Sequence, residues 1–222
     1  MTHKSRVQRG VSLVEVLVTL VILAFGMLGL AGIIINGNRA AYEAYQRQQA
    51  LAIANDMAER LKANQAMLLT GGSNVTMSDT YVGLAPIATP VGDPTNPLHW
   101  NALQSASIVD CNAATCDRTQ LASFDVALWE GELIGVGETA TAGGQRLGGL
   151  INPRGCIEGP LAAPSPPNTY RVSVAWQGDV PTVAPGASAC ARDLNIYVDA
   201  AGNLNDATRR LVFLDVTVFE PI

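Results

Sequence analysis

The chain has 222 residues, 48% of them apolar, and it carries 14 basic and 19 acidic side chains for a formal net charge of −5. Lys4, Arg6 and Arg9 fall within the first ten positions, so the remainder holds 11 basic against 19 acidic residues, a balance of −8. This acidic remainder argues against nucleic acid as a direct partner, because phosphate contacts need clustered Lys and Arg side chains.

The N-terminal segment divides into a short basic leader and a long apolar run. Residues 1–10 are polar, contain no acid and end in Gly10. Residues 11–35 contain a single charged residue, Glu15. At ~1.5 Å per residue this run is long enough to cross the ~30 Å hydrocarbon core of a bilayer as one helix. Basic residues before the run predict a cytoplasmic N-terminus and a chain that continues outward.

Two simpler interpretations of this segment compete. A cleaved secretory signal has a shorter apolar region, ~7–15 residues, followed by small residues at the cut. Ala31-Gly32 offers such a site, but the apolar run continues past it through Ile35. A plain membrane anchor fits the length and leaves Glu15 unexplained. A carboxylate within a bilayer costs ~2.5–3.5 kcal/mol even on lenient scales, so Glu15 is a candidate functional residue.

Gly10 followed by VSLVEVLVTLVIL resembles the type III leader of type IV pilins and pseudopilins. The resemblance implies that a prepilin peptidase cuts between Gly10 and Val11 and then N-methylates Val11, although the family's usual first residue is Phe. Glu15 falls at the fifth mature position, where the family places its glutamate. A Glu15 carboxylate of one subunit would then pair with the new α-ammonium at Val11 of its neighbour, and the pair would fix the axial register of a filament.

A long helix is predicted over residues 11–70, with the transmembrane segment at 11–35. Residues 38–69 lack Gly and Pro, and Gly71-Gly72 are expected to stop the helix. Asn36-Gly37 marks a possible kink or break. One face of the second half is apolar at helical spacing: Ala50, Ala54, Met57, Ala58, Leu61 and Leu68.

Three glycines recur at a spacing of three in the apolar half of this helix, namely Gly26, Gly29 and Gly32. Small residues at such spacing allow close packing between helices. The resemblance offers a second interpretation, in which the segment melts on assembly. Each glycine costs ~1 kcal/mol of helix propensity, which makes local loosening equally compatible with the sequence.

The remainder, residues 71–222, is predicted to be a β-rich globular domain. Residues 71–110 are interpreted as loops because four prolines interrupt them. Asp117 is expected to cap a short amphipathic helix that carries Leu121, Phe124 and Leu128, although Val126 to Trp129 also fit a strand. The main predicted strands are 170–177 and 211–219, and weaker candidates are 150–157 and 194–198.

Short strands that follow a long helix predict an α+β fold, in which a small antiparallel sheet packs on the C-terminal half of the helix. The same arrangement is the roll of the pilins, as the resemblance implies. The predicted organisation is therefore a leader at 1–10, a helix at 11–70 and a periplasmic domain at 71–222.

The four cysteines all follow the apolar run: Cys111, Cys116, Cys156 and Cys190. An even number beyond a membrane segment predicts disulfides in an oxidising compartment. Their spacing does not match a zinc site, and no cofactor or metal is expected. The oxygen-rich residues around Gly202 miss the spacing of a calcium-binding EF-hand loop and are interpreted as a turn.

A second pattern narrows the resemblance. Trp129, Gly155-Cys156-Ile157, the run YRVSVAW ending at Trp176, Cys190 and a terminal strand led by Arg210 resemble the PilV-type minor pilins. The preferred pairs are Cys111–Cys116 and Cys156–Cys190, although four cysteines allow three connectivities and the sequence alone does not choose among them.

The function expected from the resemblance is structural and non-enzymatic. A minor pilin would join other minor and major pilins and the inner-membrane assembly platform, prime a pilus used in twitching motility and adhesion, and enter the filament. Its location would be the bacterial inner membrane, as a single-pass protein with a periplasmic domain, and then the pilus. Two alternatives stay open: a pseudopilin of a type II secretion system, and a membrane-anchored periplasmic binding module or enzyme.

Overall fold

The computed structural model describes residues 12–65, 78–137 and 149–218. The chain divides into two compact units, Met1–Tyr42 and Glu43–Ile222. The described helices and strands follow one another in this order: α1 Leu13–Ala63, α2 Leu98–Gln104, α3 Arg118–Ile134, β1 Arg154–Glu158, β2 Thr169–Gln177 and β3 Arg209–Thr217. Short helical turns lie at Ser78–Val82, Arg192–Leu194 and Asp206–Thr208. The fold is α+β, as predicted, and is consistent with that of the pilins.

Helix α1 is continuous over 51 residues. Asn36-Gly37 lies within it without a break, because cooperative helix formation on both sides absorbs the ~1 kcal/mol cost of one glycine. The helix spans Leu13–Ala63, and residues 66–70 of the predicted 11–70 helix lie outside the described residues. At that end the Asn64 side chain donates to Tyr81 Oη and to Asp125, which fixes the chain to the domain. Leu68 and Gly71-Gly72 lie outside the described residues.

The sheet has three antiparallel strands in the order β1-β2-β3. Cys156 of β1 lies opposite Ser173 of β2, and Val172 of β2 lies opposite Leu214 of β3. The two main predicted strands are confirmed as β2 and β3, and the candidate at 150–157 is confirmed as the shorter β1.

The weaker strand candidate at 194–198 is wrong. Its first residue belongs to the 3-10 turn Arg192–Leu194, and only Val198 forms an isolated bridge, to Leu204. Positive φ angles at Ala191 and Asn195, 60° and 52°, are incompatible with an extended backbone and explain the difference.

The main core lies between α1, α3 and one face of the sheet. Helix α1 contributes the apolar face predicted for its second half, through Ala50, Ala54, Met57 and Leu61. Strand β2 contributes the alternating large residues of the sheet face that meets this core: Tyr170, Val172, Val174 and Trp176. Fully buried Trp129 of α3 donates from Nε1 to the Ile53 carbonyl at 3.1 Å, which joins the two helices directly.

Helix α3 begins at the predicted cap. Asp117 accepts a hydrogen bond from the Gln120 amide, and the Gln120 side chain accepts one from the Asp117 amide, which forms a capping box. The strand interpretation of Val126 to Trp129 is wrong, because these residues lie inside α3. Helix α2 is an element that the prediction missed, since it lies within the supposed loops of 71–110.

The opposite face of the sheet is also buried. Ser173 and Ala175 of β2 are fully buried there, and the cluster that covers them contains Cys156, Cys190, Ala191 and Tyr197. Gly155 is required at the join of sheet and helix, because a Cβ at this position would lie 2.5 Å from Trp129 Cη2. The second face is therefore covered at β1 and β2, whereas Phe213 of β3, on the same face, is 39% exposed.

Candidate functional site: the apolar half of α1

The N-terminal half of α1 presents apolar side chains that none of the described residues covers. Every residue from 12 to 42 is exposed, including Leu13 at 81%, Phe25 at 70% and Ile33 at 70% of their full accessible area. An exposed apolar surface of this extent marks a membrane or protein interface. The helix is long and apolar enough to span a bilayer.

Glu15 is the acidic residue in the first turn of α1. Its backbone amide donates to the Ser12 carbonyl at 3.0 Å, so the helical turn is already formed around it. A negative charge is favoured at this end of a helix, because the dipole and the unpaired amides there are positive. Among the described residues no cation pairs with its carboxylate, and the sequence between Glu15 and Asn38 contains no basic residue.

The predicted cleavage site, Gly10 and Val11, lies outside the described residues. The three glycines of the apolar half lie within intact helix, and a Cβ built on any of them would meet no atom within 4 Å. Their open backbone surface is compatible with close packing against a neighbouring helix.

A charged tether holds α1 where the second unit begins. Glu43 Oε1 accepts from Arg210 Nη2 at 3.1 Å and from the Asp179 amide at 3.3 Å. Arg210 also donates to the Val180 carbonyl at 2.8 Å. Gly178 leaves room for this guanidinium, since a Cβ there would lie 2.6 Å from its Cζ. The tether joins α1 to the start of β3.

A second charged cluster lies further along α1, where Arg60 contacts three carboxylates. It donates to Asp56 of its own helix, to Asp125 of α3 at 3.2 Å and to Glu132 of α3 at 3.4 Å. Burial raises the pKa of Glu132, to about 7, and Asp56 adds to the effect while Arg60 opposes it. Burial alone would lower the pKa of Arg60, but Asp56 and Asp125 outweigh it and raise that pKa.

Asp125 is the buried centre of this cluster. Its Oδ2 accepts from Tyr81 Oη and from Asn64 Nδ2, both at 2.6 Å. Burial, followed by the charge of Asp125, raises the pKa of Tyr81, so the phenol remains a donor. These bonds join α1, α3 and the turn Ser78–Val82, and they give the cluster a structural role.

The sequence prediction missed the tether and this cluster. A usable signal existed for Asp125, which lies four residues after Leu121 and four before Trp129, within the predicted apolar stripe of α3. A charge at such a position needs a buried partner. No comparable signal marked Glu43 or Arg210. Glu59 and Lys62 of α1 form an exposed ion pair.

The structure contains the two disulfides Cys111–Cys116 and Cys156–Cys190, which is the preferred pairing. Cys156–Cys190 is fully buried and fastens the segment after β2 over the sheet. Cys111–Cys116 closes a short turn just before α3. The structure thus brings the four cysteines together as two pairs, both in the second unit. Glu15 lies in the first unit.

Residues 5–31 match the family model described as the prokaryotic N-terminal methylation motif. The chain carries a prepilin-type leader. The leader implies processing by a prepilin peptidase and pilus-type assembly, and it supports membership of the type IV pilins or pseudopilins. Together with the single described helix apolar enough to span a bilayer, it fits a membrane-anchored pilin. Searches of curated proteins and of solved structures found no significant match.

Proposed function

We propose that the protein is a PilV-type minor pilin that helps to initiate assembly of a type IV pilus and is incorporated in the filament. Its role is structural and non-enzymatic, and its partners are other pilins, the prepilin peptidase and the inner-membrane assembly platform. The observation that carries the proposal is the leader motif continuing into a helix whose apolar half is wholly exposed and holds one acid.

The chemistry of assembly follows from that acid. Cleavage after Gly10 creates an α-ammonium at Val11, and burying that cation among apolar helices costs free energy unless a counter-charge lies beside it. Glu15 is four residues away on the same helix, so the carboxylate of one subunit meets the amine of the next when the two helices are shifted by about one turn, ~5.4 Å. The ion pair thereby selects one axial register.

The structural roles of several residues in the globular domain support the assignment to the PilV-type minor pilins. Several residues of the pattern on which that resemblance rests hold the domain together. Trp129 joins α1 to α3, Cys156 and Cys190 close the second face of the sheet, and Arg210 forms the tether to Glu43. These structural roles support the proposal that the pattern reflects the architecture of the domain.

The proposal is tested by comparing Glu15→Val with Glu59→Val, a matched change at an exposed glutamate of the same helix. Filaments are sheared from cells, and the amount of each variant in the filament fraction is measured relative to the membrane fraction. Removing one partner of a buried ion pair costs roughly 3–5 kcal/mol, so the Glu15 variant is expected to fall by more than about tenfold. Equal incorporation of the two variants would overturn the proposal.

A pseudopilin of a type II secretion system is the second candidate, since the same leader motif supports it equally. Deletion of the gene distinguishes the two: loss of twitching supports the pilus, and loss of secretion supports the pseudopilus. The membrane-anchored binding module or enzyme predicts instead that replacing Glu15 has no effect on the protein's location.

A further inference from the structure

Strand β3 forms one edge of the three-stranded sheet, and the opposite edge, β1, is already covered. Gly155 of β1 exchanges two backbone hydrogen bonds with Val91, at 2.8 and 3.0 Å, and the Ile157 amide donates to the Ala85 carbonyl at 2.8 Å. Strand β3 pairs with β2 on one side, and on the other side no described residue bonds to the backbone of residues 211–217. Within the described part of the chain, the sheet is therefore open at β3.

The register of the strands identifies the backbone groups on this open edge. Successive residues of an antiparallel strand direct their N–H and C=O groups alternately to the two sides. Gly155 points away from β2, towards Val91, and counting across the register from it directs the groups of Leu214 towards β2. The residues whose groups point outward are Leu211, Phe213, Asp215 and Thr217. None of these backbone groups has a hydrogen-bond partner among residues 12–65, 78–137 and 149–218.

The open edge lacks the features that normally prevent a further strand from pairing. Natural edge strands are usually protected by proline, by a bulge or by an unpaired charge. Strand β3 contains no proline, and its register with β2 runs without interruption from Arg209 to Thr217. The one charged residue within 211–217 is Asp215, and Arg171 donates to both of its carboxylate oxygens, at 2.7 and 2.9 Å. The edge is thus able to accept another strand.

The side chains along the edge define the kind of strand that fits. Asp215 is already neutralised, and Arg210 is paired with Glu43. At the middle of the edge, exposed Phe213 lies on one face of the sheet and partly exposed Leu214 on the other. An uncharged strand with apolar residues at its centre would gain main-chain hydrogen bonds and apolar contacts on both faces, and it would leave no charge unpaired.

A second copy of this chain does not fit the edge. Two copies of β3 would pair antiparallel about a two-fold axis normal to the sheet, and this rotation reverses every direction in the plane of the sheet. The second half of α1 packs on that sheet, so the two α1 helices would run in opposite directions. Subunits anchored through α1 in one membrane all run in the same direction, which excludes this pairing between them.

We propose that the open edge of β3 binds an extended, uncharged strand of a different pilin subunit, which continues the sheet through main-chain hydrogen bonds. Apolar side chains of that strand cover Phe213 on one face and Leu214 on the other. This partner rests on the proposed function, which supplies different subunits within one assembly.

Amide hydrogen exchange tests whether the edge is open. In the mature full-length protein in detergent, the outward amides of Leu211, Phe213 and Asp215 should exchange at least about tenfold faster than the inward amides of Val212 and Leu214. Equal protection of the two sets would overturn the inference, because the edge would already be closed. This measurement does not depend on whether the chain enters a pilus.

Phe213→Pro tests the pairing itself. The substitution removes an outward N–H and places a ring on the edge, but it leaves the hydrogen bonds to β2 in place, and proline is tolerated on edge strands. Phe213→Ala removes the same side chain and keeps the N–H, so it is the matched control. Slow exchange of the inward Val212 and Leu214 amides verifies that both variants are folded.

The amount of each variant in sheared filaments, relative to the membrane fraction, is compared with that of the unaltered protein. We expect Phe213→Pro to fall about tenfold, because the added strand loses a main-chain bond and keeps an unpaired carbonyl. Phe213→Ala should fall by no more than about threefold. Equal incorporation of the two variants would overturn the inference and leave the proposed function intact. Absence of the unaltered protein from filaments would refute the proposed function, and the inference with it.

Discussion

The two halves of α1 contain the same kinds of apolar residue and find different surroundings. Leu23, in the first half, is 56% exposed, whereas Leu61, in the second, is fully buried among residues of α3 and the sheet. Helix propensity does not distinguish these positions, since both lie in one unbroken helix. Within the part of the chain that the structure describes, only the second half has apolar partners from the chain itself.

The difference shows where each half derives its stability. The second half is fixed by a core and by the Glu43 and Arg60 contacts, which are all internal to the second unit. The first half buries no apolar side chain among the described residues, and its surface would gain free energy by entering lipid or by packing on other subunits. Experiments that treat matched residues in the two halves test this division.

Replacing Leu61 with Ala should produce the largest effect on folding. Removing a fully buried leucine leaves a cavity, and we expect the free energy of unfolding to fall by roughly 3–5 kcal/mol. The matched change Leu23→Ala should alter it by no more than about 0.5 kcal/mol. Denaturant unfolding of the full chain in detergent, followed by tryptophan fluorescence, measures both. Similar losses for the two variants would break the comparison.

Within the second unit, the two disulfides should contribute unequally. Cys156–Cys190 spans 34 residues and Cys111–Cys116 only 5, and the loop-entropy relation makes removal of the first costlier by about 2 kcal/mol. Alanine replacements of each complete pair are compared by the same unfolding measurement. A larger loss from the Cys111–Cys116 pair would show that native packing, rather than loop closure, governs the contribution.

Asp125→Asn tests whether the buried cluster holds α1 on α3. The substitution keeps the shape but removes the charge that faces Arg60 and an acceptor used by Tyr81 and Asn64, so we expect a loss of about 1–3 kcal/mol. Glu59→Gln, at an exposed pair, is the control and should change stability by less than about 0.5 kcal/mol. If the two variants behave alike, the cluster does not stabilise the junction.

Glu132 should give the smallest effect, visible as a dependence on pH. Its pKa rises from an ordinary 4.5 to about 7 in the folded protein, so the folded state binds more protons than the unfolded state between these values. Stability from this group is therefore complete below pH 4.5 and is lost as the pH rises through 7. Unfolding midpoints across this window should fall less steeply in Glu132→Gln, and an unchanged slope would contradict the assignment.

Much of the fold could be predicted because local patterns and tertiary packing agree. The alternation in 170–177, the cap at Asp117 and the apolar face of the second half of α1 each correspond to an observed element. Helix α2 could not be predicted, because it is seven residues long and contains no fully buried residue. The predicted strand at 194–198 is wrong because the backbone of Asn195 is left-handed, which the apolar pattern of the segment does not reveal.

In the candidate site, too, some residues could be predicted from the sequence and others could not. Glu15 stands out in the sequence because a charge in an apolar run is rare and costly. The Glu43–Arg210 tether spans 167 positions, and two charges so far apart carry no local pattern.

Processing should create the amine with which Glu15 pairs, and the mass and N-terminal sequence of the protein purified from membranes test this step. We expect a chain that starts at Val11, heavier by one CH2 group than the cleaved sequence because a methyl group replaces a hydrogen, and lighter by four hydrogens for its two disulfides than the reduced form. A chain that retains residues 1–10, or one cut elsewhere, such as near Ala31-Gly32, would contradict it.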